Sequence, residues 1–200
     1  MALQSCPLPV LITRPHAQAL RFAAQLTAVC GDAIAPLISP ILTPAFLRPD
    51  MPEGPFGAIV LSSETGAQAA AALRQTGITL PDLAFCVGDH TANVARDLGF
   101  VAHSAAGDVH DLLALVIRHR KCAPFLHLRG RETTGDLVAG IRAAGIDAQA
   151  AVVYAQQELP LSAGAQAVLA ASDPVCVPLF SPRSARLFWA ALKDIPVQAA

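Results

Sequence analysis

A regular alternation between short apolar runs and segments with helical spacing constrains the fold of this chain most strongly. Apolar runs at 10–12, 58–61 and 125–128 are each followed within a few residues by a helical pattern. Strands that are apolar throughout, rather than on every second residue, indicate a parallel sheet with both faces covered by helices. The sequence therefore predicts an α/β protein built from parallel-sheet domains of the Rossmann or flavodoxin-like type.

The same patterns place the individual elements. Strands are predicted at 10–12, 33–38, 58–61, 83–87, 100–102, 125–128, 150–154 and 175–180. Helices are predicted after Pro15, Ser63 and Asp89, over 133–144 and 162–171, and again after Ser181. Asp108 is predicted to cap a further helix, because an apolar stripe at helical spacing begins directly after it.

Two irregular segments divide the chain. Residues 39–56 carry five prolines and no period, and residues 154–160 are polar. A complete set of βα units lies between them, so the sequence predicts an inserted α/β domain at 39–157. The flanking segments, 1–38 plus 158–200, are predicted to form a discontinuous α/β domain. With three predicted strands, that outer domain is expected to be incomplete at its C-terminal end.

Composition excludes several classes of protein. The chain is 54% apolar and 14% charged, as in a folded domain with a large core, and its net charge of −1 does not favour a nucleic-acid partner. Its five cysteines are scattered and odd in number, without a CxxC pair, so neither a disulfide framework nor a zinc site is predicted. The N-terminus lacks the basic region of a signal peptide, and no apolar run is long enough to span a membrane. A cytoplasmic protein is expected.

Candidate ligand-binding residues follow the predicted strands. In open parallel sheets, ligands bind beyond the carboxyl ends of the strands. Those ends carry arginines, small hydroxyl residues and glycines, namely Arg14, Ser62, Ser63, Thr65, Gly88, Thr91, Arg129, Gly130, Arg131, Ser181, Arg183 and Ser184. Guanidinium forks and free amides at helix N-termini both bind carboxylates and phosphates. The pattern favours an anion-binding cleft between two domains, although each hydroxyl could instead be a helix cap and each arginine a surface charge.

The remaining polar residues offer fewer signals. Tyr154 is the only tyrosine and lies at a predicted domain crossing, where it either packs the hinge or faces the cleft. The six histidines show no metal-like pairing. The chain has no GxGxxG turn after its first strand and no P-loop, HExxH or GxSxG motif. No metal site and no nucleotide cofactor are predicted.

A series of segments resembles the uroporphyrinogen-III synthases, and the order and spacing of the series carry the resemblance. The segments are VLITRP (10–15), IVLSSETGA (59–67), CVGDHTANVARDLGF (86–100), SAAGDVHDLL (104–113), LHLRGRETTGDLVAGIRAAGI (126–146), VVYAQQ (152–157) and LFSPRSARLF (179–188). Glu64 and Thr65 stand where an asparagine-bearing turn is more usual in that family. A hydroxyl-rich C-terminal segment of the family has no counterpart in the series.

The resemblance implies a function and an architecture. It implies two α/β domains joined by a two-stranded connection, and a cyclising lyase of tetrapyrrole biosynthesis that needs no metal or organic cofactor. Its substrate would be hydroxymethylbilane, closed to uroporphyrinogen III with inversion of ring D and loss of water. Tyr154 is then the candidate to protonate the departing hydroxyl. Neither a nucleic acid nor a membrane is an expected partner, and a monomer is expected.

Two other functions fit the same residues. A two-domain protein that clamps an anionic ligand without chemistry would use the strand-end arginines equally well. A nucleotide-sugar-binding transferase would also use an anion-binding cleft, but the lack of a glycine-rich turn weighs against it.

Overall fold

The computed structural model of the chain describes residues 6–133, 135–193 and 195. Its strands and helices, in chain order, are β1 (Leu8–Ile12), α1 (His16–Cys30), β2 (Ile34–Ile38), β3 (Leu42–Phe46), β4 (Ala58–Leu61), α2 (Glu64–Gln75), β5 (Leu83–Cys86), α3 (Asp89–Asp97), β6 (Val101–Ser104), α4 (Val109–Arg118), β7 (Phe125–Gly130), α5 (Leu137–Ala143), β8 (Ala148–Glu158), α6 (Ala163–Ala170) and α7 (Pro182–Leu192). Single turns of 3₁₀ helix follow α1 and α4.

The chain divides into two compact units. Unit 1 comprises Met1–Thr43 and Gln157–Ala200, and unit 2 comprises Pro44–Gln156. The domains predicted from the sequence also include residues 1–5, 134, 194 and 196–200, which lie outside the described residues. The mixed α/β class with mostly parallel strands, predicted from the sequence, is confirmed.

A six-stranded sheet with the order β3-β8-β7-β4-β5-β6 organises unit 2. The pairs β8–β7, β7–β4, β4–β5 and β5–β6 are parallel. The central strand β4 is buried along its whole length, as expected for a strand with helices on both faces. Because parallel strands end at one edge of a sheet, residues that follow β4, β5 and β7 come together.

Apolar side chains pack on both faces of this sheet. Ile59 and Leu61 of β4 belong to one cluster, which includes side chains of α2 and α3. Ala58 and Val60 belong to the other, which includes Phe85 and side chains of α4 and α5. The alternation along β4 thus sends neighbouring side chains to opposite faces, and the same alternation governs the residues just beyond the strand.

The helices of unit 2 begin at side-chain caps. Ser63 caps α2 by accepting a hydrogen bond from the Gly66 amide at 3.1 Å. Asp108 caps α4, as the sequence predicted, and Asp111 reciprocates by accepting from the Asp108 amide at 2.9 Å. The helix predicted over 133–144 is shorter, since α5 begins at Leu137 after the cap residue Asp136.

Unit 1 has a smaller sheet in the described part of the chain. β1 and β2 are parallel, with Val10 opposite Pro36. The strand predicted at 175–180 is wrong: only Cys176 pairs with β1, through hydrogen bonds of 2.9 Å to Leu11 and Pro9. Pro178 has no amide hydrogen to continue the ladder, which accounts for the single bridge.

Both segments that pass between the units contain strand structure. The irregular crossing predicted at 39–56 includes β3, and the polar segment predicted at 154–160 is largely the end of β8. β3 runs antiparallel to β8, since hydrogen bonds join Leu47 to Val153 and Leu159 to Ile41. Pro44 is tolerated because β3 is an edge strand, where a missing amide hydrogen need not interrupt a ladder. No helix in the described residues is long and apolar enough to cross a membrane.

Candidate active site

A cavity of about 360 Å³ lies at the carboxyl ends of the strands of unit 2. It combines hydroxyl, imidazole, carboxylate and apolar groups, and its lining residues are Ser62, Ser63, Val87, Val109, His127, Gly130, Glu132, Thr133, Gly135, Leu137 and Tyr154. Four of the residues proposed from the sequence are therefore brought together here: Ser62, Ser63, Gly130 and Tyr154. Mixed polar and apolar walls suit an organic ligand that carries charged side chains.

Ser63 and Tyr154 form the first polar pair of the cavity. Their hydroxyl oxygens lie 2.9 Å apart. Since Ser63 also caps α2, its oxygen is held in place by the Gly66 amide. The phenol is half-buried, so the pair presents a fixed hydroxyl group that can donate or accept a hydrogen bond.

Gly130 makes room for the Tyr154 ring. The register between β7 and β8 shifts between Arg129 and Gly130, which places Gly130 opposite Tyr154. A Cβ atom at position 130 would lie 2.7 Å from Cζ of that ring. The Arg131 amide also donates to the Tyr154 carbonyl at 2.9 Å. The tyrosine is thus positioned by the end of β7 as well as by Ser63.

Ser62 and His127 form a second polar pair, which the sequence did not predict. Ser62 Oγ lies 3.2 Å from His127 Nε2. His127 is 5% exposed. Its burial, together with the nearby charge of Arg129, lowers its pKa to about 4, against the opposing effect of Asp136. The imidazole is therefore neutral near pH 7. The available signal was a histidine in an otherwise apolar strand segment, LHL.

The turns after β4 and β5 carry an acid and a base. Oε2 of Glu64, in the first turn of α2, lies 2.5 Å from Nε2 of His90, in the first turn of α3. The Glu64 side chain is 10% exposed, whereas that of His90 is 56% exposed.

Gly88 is the cap residue of α3, while Thr65 and Thr91 are buried in the first turns of their helices. These two threonines face the protein rather than solvent.

The arginines after β7 differ in their surroundings. Arg129 is half-buried, and its Nη1 donates to the Gly130 carbonyl at 3.1 Å. It also lines a second cavity of about 280 Å³, whose other charged lining residues are Asp136 and Arg142. Arg131 is exposed. Arg129 thus contributes positive charge near His127. His127 lines both cavities.

Four of the candidate residues belong to unit 1. Arg14 stacks on the Phe180 ring at 4.3 Å and donates to Gln18 Oε1 at 3.2 Å. Ser181 caps α7 by accepting from the Ser184 amide at 3.0 Å, and the two hydroxyl oxygens lie 2.9 Å apart. Arg183 is half-buried in the first turn of the same helix. In this unit, the turn after β1 therefore presents the cation of Arg14, and the start of α7 presents the hydroxyl groups of Ser181 and Ser184.

Metal-binding side chains are not clustered in the described part of the chain. No group of three or more His, Cys, Asp or Glu side chains among those residues could hold a metal ion. Cys86 is fully buried, as predicted for a core residue, and burial raises the pKa of its thiol to about 11. The polar side chains that line the strand-end cavity of unit 2 carry hydroxyl, imidazole and carboxylate groups, and the charge of Arg129 lies near His127.

Comparison with known proteins points to one family. The model of a family described as uroporphyrinogen-III synthase HemD matches residues 26–199. No curated protein matches the sequence.

A solved structure described in the same terms is similar in fold. A uroporphyrinogen-III synthetase from Helicobacter pylori superposes with a TM-score of 0.61 at 18% identity, covering 92% of this chain and 78% of that one. A mutant uroporphyrinogen III synthase from Thermus thermophilus gives a TM-score of 0.48 at 15% identity, covering 76% of this chain and 64% of that one. At 18% identity, the likeness to the Helicobacter pylori structure concerns the fold alone.

Proposed function

The chain belongs to the uroporphyrinogen-III synthase family, and we propose that it cyclises hydroxymethylbilane to uroporphyrinogen III with inversion of ring D and loss of water. The match of the family model over residues 26–199 carries this proposal. The family is one of cyclising, lyase-type enzymes, so an enzyme is favoured over a protein that only clamps an anionic ligand.

The charge of the substrate agrees with the candidate residues. Each pyrrole ring of hydroxymethylbilane carries an acetate and a propionate. Guanidinium groups bind such carboxylates in forked geometry, and free amides at helix N-termini add to the attraction. In this proposal the substrate contacts residues at the strand ends, namely Arg14, Ser62, Ser63, Gly88, Arg129, Gly130, Arg131, Ser181, Arg183 and Ser184. Thr65 and Thr91, which the sequence also suggested, are buried in their helices and are not expected to reach it.

The reaction demands positioning more than covalent help from the protein. Protonation of the hydroxymethyl group on ring A releases water, as the pyrrole nitrogen supplies the electron pair and an azafulvene forms. The substituted carbon of ring D attacks it, giving a spiro intermediate that opens and closes again with ring D inverted, after which a ring proton is lost. Holding one conformer and stabilising developing charge are the tasks of the enzyme.

Tyr154 is the proposed proton donor for the departing hydroxyl. A phenol is neutral near pH 7 and can donate its proton. Ser63, 2.9 Å away, can then donate its own hydroxyl hydrogen to the phenolate oxygen. The proton returns when ring D loses its proton during closure, so the cycle balances.

Substitution of Tyr154 tests this role. Tyr154→Phe keeps the ring beside Gly130 and removes the hydroxyl, so turnover is expected to fall by about 10²–10⁴, with more of the spontaneous type I isomer. The melting temperature should change little. Gly130→Ala is the matched variant, since it keeps the phenol but displaces its ring. A Phe variant with the wild-type rate and isomer ratio would exclude Tyr154 from the mechanism.

The function itself is tested with freshly prepared hydroxymethylbilane. The protein is incubated with the bilane, and the porphyrinogens are oxidised and separated by chromatography. Type III isomer in excess over the spontaneous type I isomer is expected. Type I isomer alone would exclude the proposed catalysis and leave the alternative of a protein that only binds an anionic ligand.

The thiols support a reducing compartment, in line with the cytoplasmic location expected from the sequence. All five cysteines are free, and three of them, Cys6, Cys30 and Cys176, are exposed. Exposed thiols persist where glutathione and thioredoxin keep them reduced.

A further inference from the structure

Two adjacent serines at the end of β4 make different contacts on opposite faces of the sheet. Ser63 lies on the same face of the sheet as Ile59 and Leu61, and its hydroxyl group hydrogen-bonds to Tyr154. Ser62 lies on the same face as Val60, and its hydroxyl group hydrogen-bonds to His127. The parallel register explains the second pair, because Val60 lies opposite His127 and Ser62 lies two residues further along. Both hydroxyl groups line the same cavity.

His127 lines both of the cavities described above in unit 2. It lines the strand-end cavity with Ser62 and also the second cavity with Arg129 and Asp136. Its ring is almost fully buried, and burial together with the Arg129 charge keeps its pKa at about 4. A neutral imidazole has one nitrogen that donates and one that accepts. Its hydrogen bond to Ser62 therefore depends on which nitrogen carries the hydrogen.

We infer that His127 positions the Ser62 hydroxyl as a hydrogen-bond donor for one carboxylate of the linear tetrapyrrole, an inference that rests on the function proposed above. The observations that support it are the 3.2 Å contact, the burial of the ring and the place of both side chains on the cavity wall. His127 is a positioning residue in this arrangement, since Ser62 makes the contact with the ligand.

The direction of the hydrogen bonds follows from the charge of the ligand. An ionised carboxylate only accepts, so Ser62 must donate its hydroxyl hydrogen to it. The Ser62 oxygen is then free to accept from Nε2–H of His127. Donation from the imidazole polarises the hydroxyl and strengthens the outer bond. No proton is transferred, and the histidine stays neutral throughout.

Kinetic variants test the pair. Ser62→Ala removes the donor, and KM for hydroxymethylbilane is expected to rise about tenfold, as for loss of a hydrogen bond to a charged group. His127→Phe keeps the ring volume and is expected to raise KM by a smaller factor, with kcat nearly unchanged. His127→Gln retains a side-chain amide near Nε2 and should restore most of the affinity.

The double variant separates positioning from a structural role. Ser62→Ala combined with His127→Phe should have the KM of Ser62→Ala alone, because His127 acts only through that hydroxyl. KM effects that multiply, or a His127→Phe variant that loses thermal stability while keeping the wild-type KM, would overturn the inference. Ser104→Ala is the control, since Ser104 ends β6 and serves a local turn through the Ala106 amide.

A binding measurement keeps the inference distinct from the catalytic proposal. Uroporphyrinogen III, kept reduced under nitrogen, is titrated into wild-type protein and the Ser62 and His127 variants by calorimetry, while ¹⁵N NMR records the tautomer of His127. Weaker binding in both variants, with hydrogen on Nε2 in the bound state, supports the pair even if turnover is absent. Equal affinities in wild-type protein and variants, or hydrogen on Nδ1 in the bound state, refute the pair whether or not the enzyme is active.

Discussion

Units 1 and 2 differ in how much apolar surface they bury. Unit 2 holds two large clusters of buried side chains, one on each face of its sheet. The clusters of unit 1 are smaller in the described residues. Large apolar side chains are also exposed there, including Trp189 at 67% and Phe180 at 53%.

This difference bears on where a rigid site can be built. The buried side chains on both faces of the unit 2 sheet restrict movement of its strands, because densely packed cores resist small displacements. The pairs Ser62–His127 and Ser63–Tyr154 therefore lie at the end of a densely packed sheet. In unit 1, Arg14 is held by contacts with Phe180 and Gln18, of which Phe180 is itself half-exposed. Unit 2 is thus expected to position the reacting groups, and unit 1 to supply binding charge.

Truncation of core and surface aromatics should show the largest contrast. Phe85→Ala removes a fully buried ring of unit 2, and the free energy of unfolding is expected to fall by about 3–5 kcal/mol. Trp189→Ala in α7 is expected to change it by about 0.5 kcal/mol or less. Urea unfolding followed by circular dichroism measures both, with Phe85→Leu as an intermediate control. Equal losses at the two sites would contradict the difference in packing.

Acid should affect unit 2 through His127. Its pKa is lowered to about 4 in the folded protein, from an ordinary value of 6.5 that the unfolded chain retains. Between these values the unfolded chain binds the extra proton and the folded chain does not, so stability falls as pH is lowered from 6.5 to 4. The loss is about 3 kcal/mol from this residue.

Denaturant titrations at several pH values measure this slope. His127→Phe should flatten it, because the variant has no imidazole to protonate in the unfolded chain. His16→Gln, at the exposed start of α1 in unit 1, is the control and should keep the slope of the wild type. An unchanged slope in His127→Phe would show that other groups cause the acid sensitivity.

Arginine variants test whether both units bind the ligand. Arg14→Ala in unit 1 and Arg129→Ala in unit 2 are each expected to weaken binding of uroporphyrinogen III by about 1–3 kcal/mol, through loss of a charge-assisted hydrogen bond. Arg118→Ala, exposed in the last turn of α4, is the control. Calorimetry measures the affinity of each variant for uroporphyrinogen III. Wild-type affinity in Arg14→Ala, together with weaker binding in Arg129→Ala, would indicate that the ligand binds through unit 2 and not through Arg14.

Glycine-to-alanine variants probe packing density with the smallest effects. At Gly164 in α6, an added Cβ would lie 3.9 Å from Leu37 Cδ1, an ordinary contact, so stability should rise by up to about 1 kcal/mol through helix propensity. At Gly140 in α5, the Cβ would lie 3.0 Å from Leu113 Cδ2, so crowding should offset the gain. Thermal melts compare the two variants. A larger gain at Gly140 would reverse the expected order of packing.

Much of the fold could be predicted from local patterns. The apolar strands β4, β5 and β7 and the cap at Asp108 follow directly from residue type and spacing. The strand predicted at 175–180 was wrong, because apolar content does not show whether a neighbour supplies a full hydrogen-bonded ladder. β3 was missed because its proline suggested an irregular segment, and only its edge position makes that residue harmless.

The candidate site could be predicted in part. The placement rule for parallel sheets selected Ser62, Ser63 and Gly130, and Tyr154 was selected as the only tyrosine at a predicted domain crossing. The structure brings these four to one cavity. The placement rule did not locate His127, because that side chain lies within β7 rather than after it. A buried polar residue becomes a candidate only when its hydrogen-bond partner is known.

The sequence by itself determined the α/β class, most of the elements and the chemical types present at the strand ends, because each of these depends on residues close together in the chain. Only the tertiary structure decided which groups meet. Ser62 and His127 are 65 residues apart, and Ser63 and Tyr154 are 91 apart. These pairs depend on which strands become neighbours and in what register. A shift of one residue would send each side chain to the other face of the sheet.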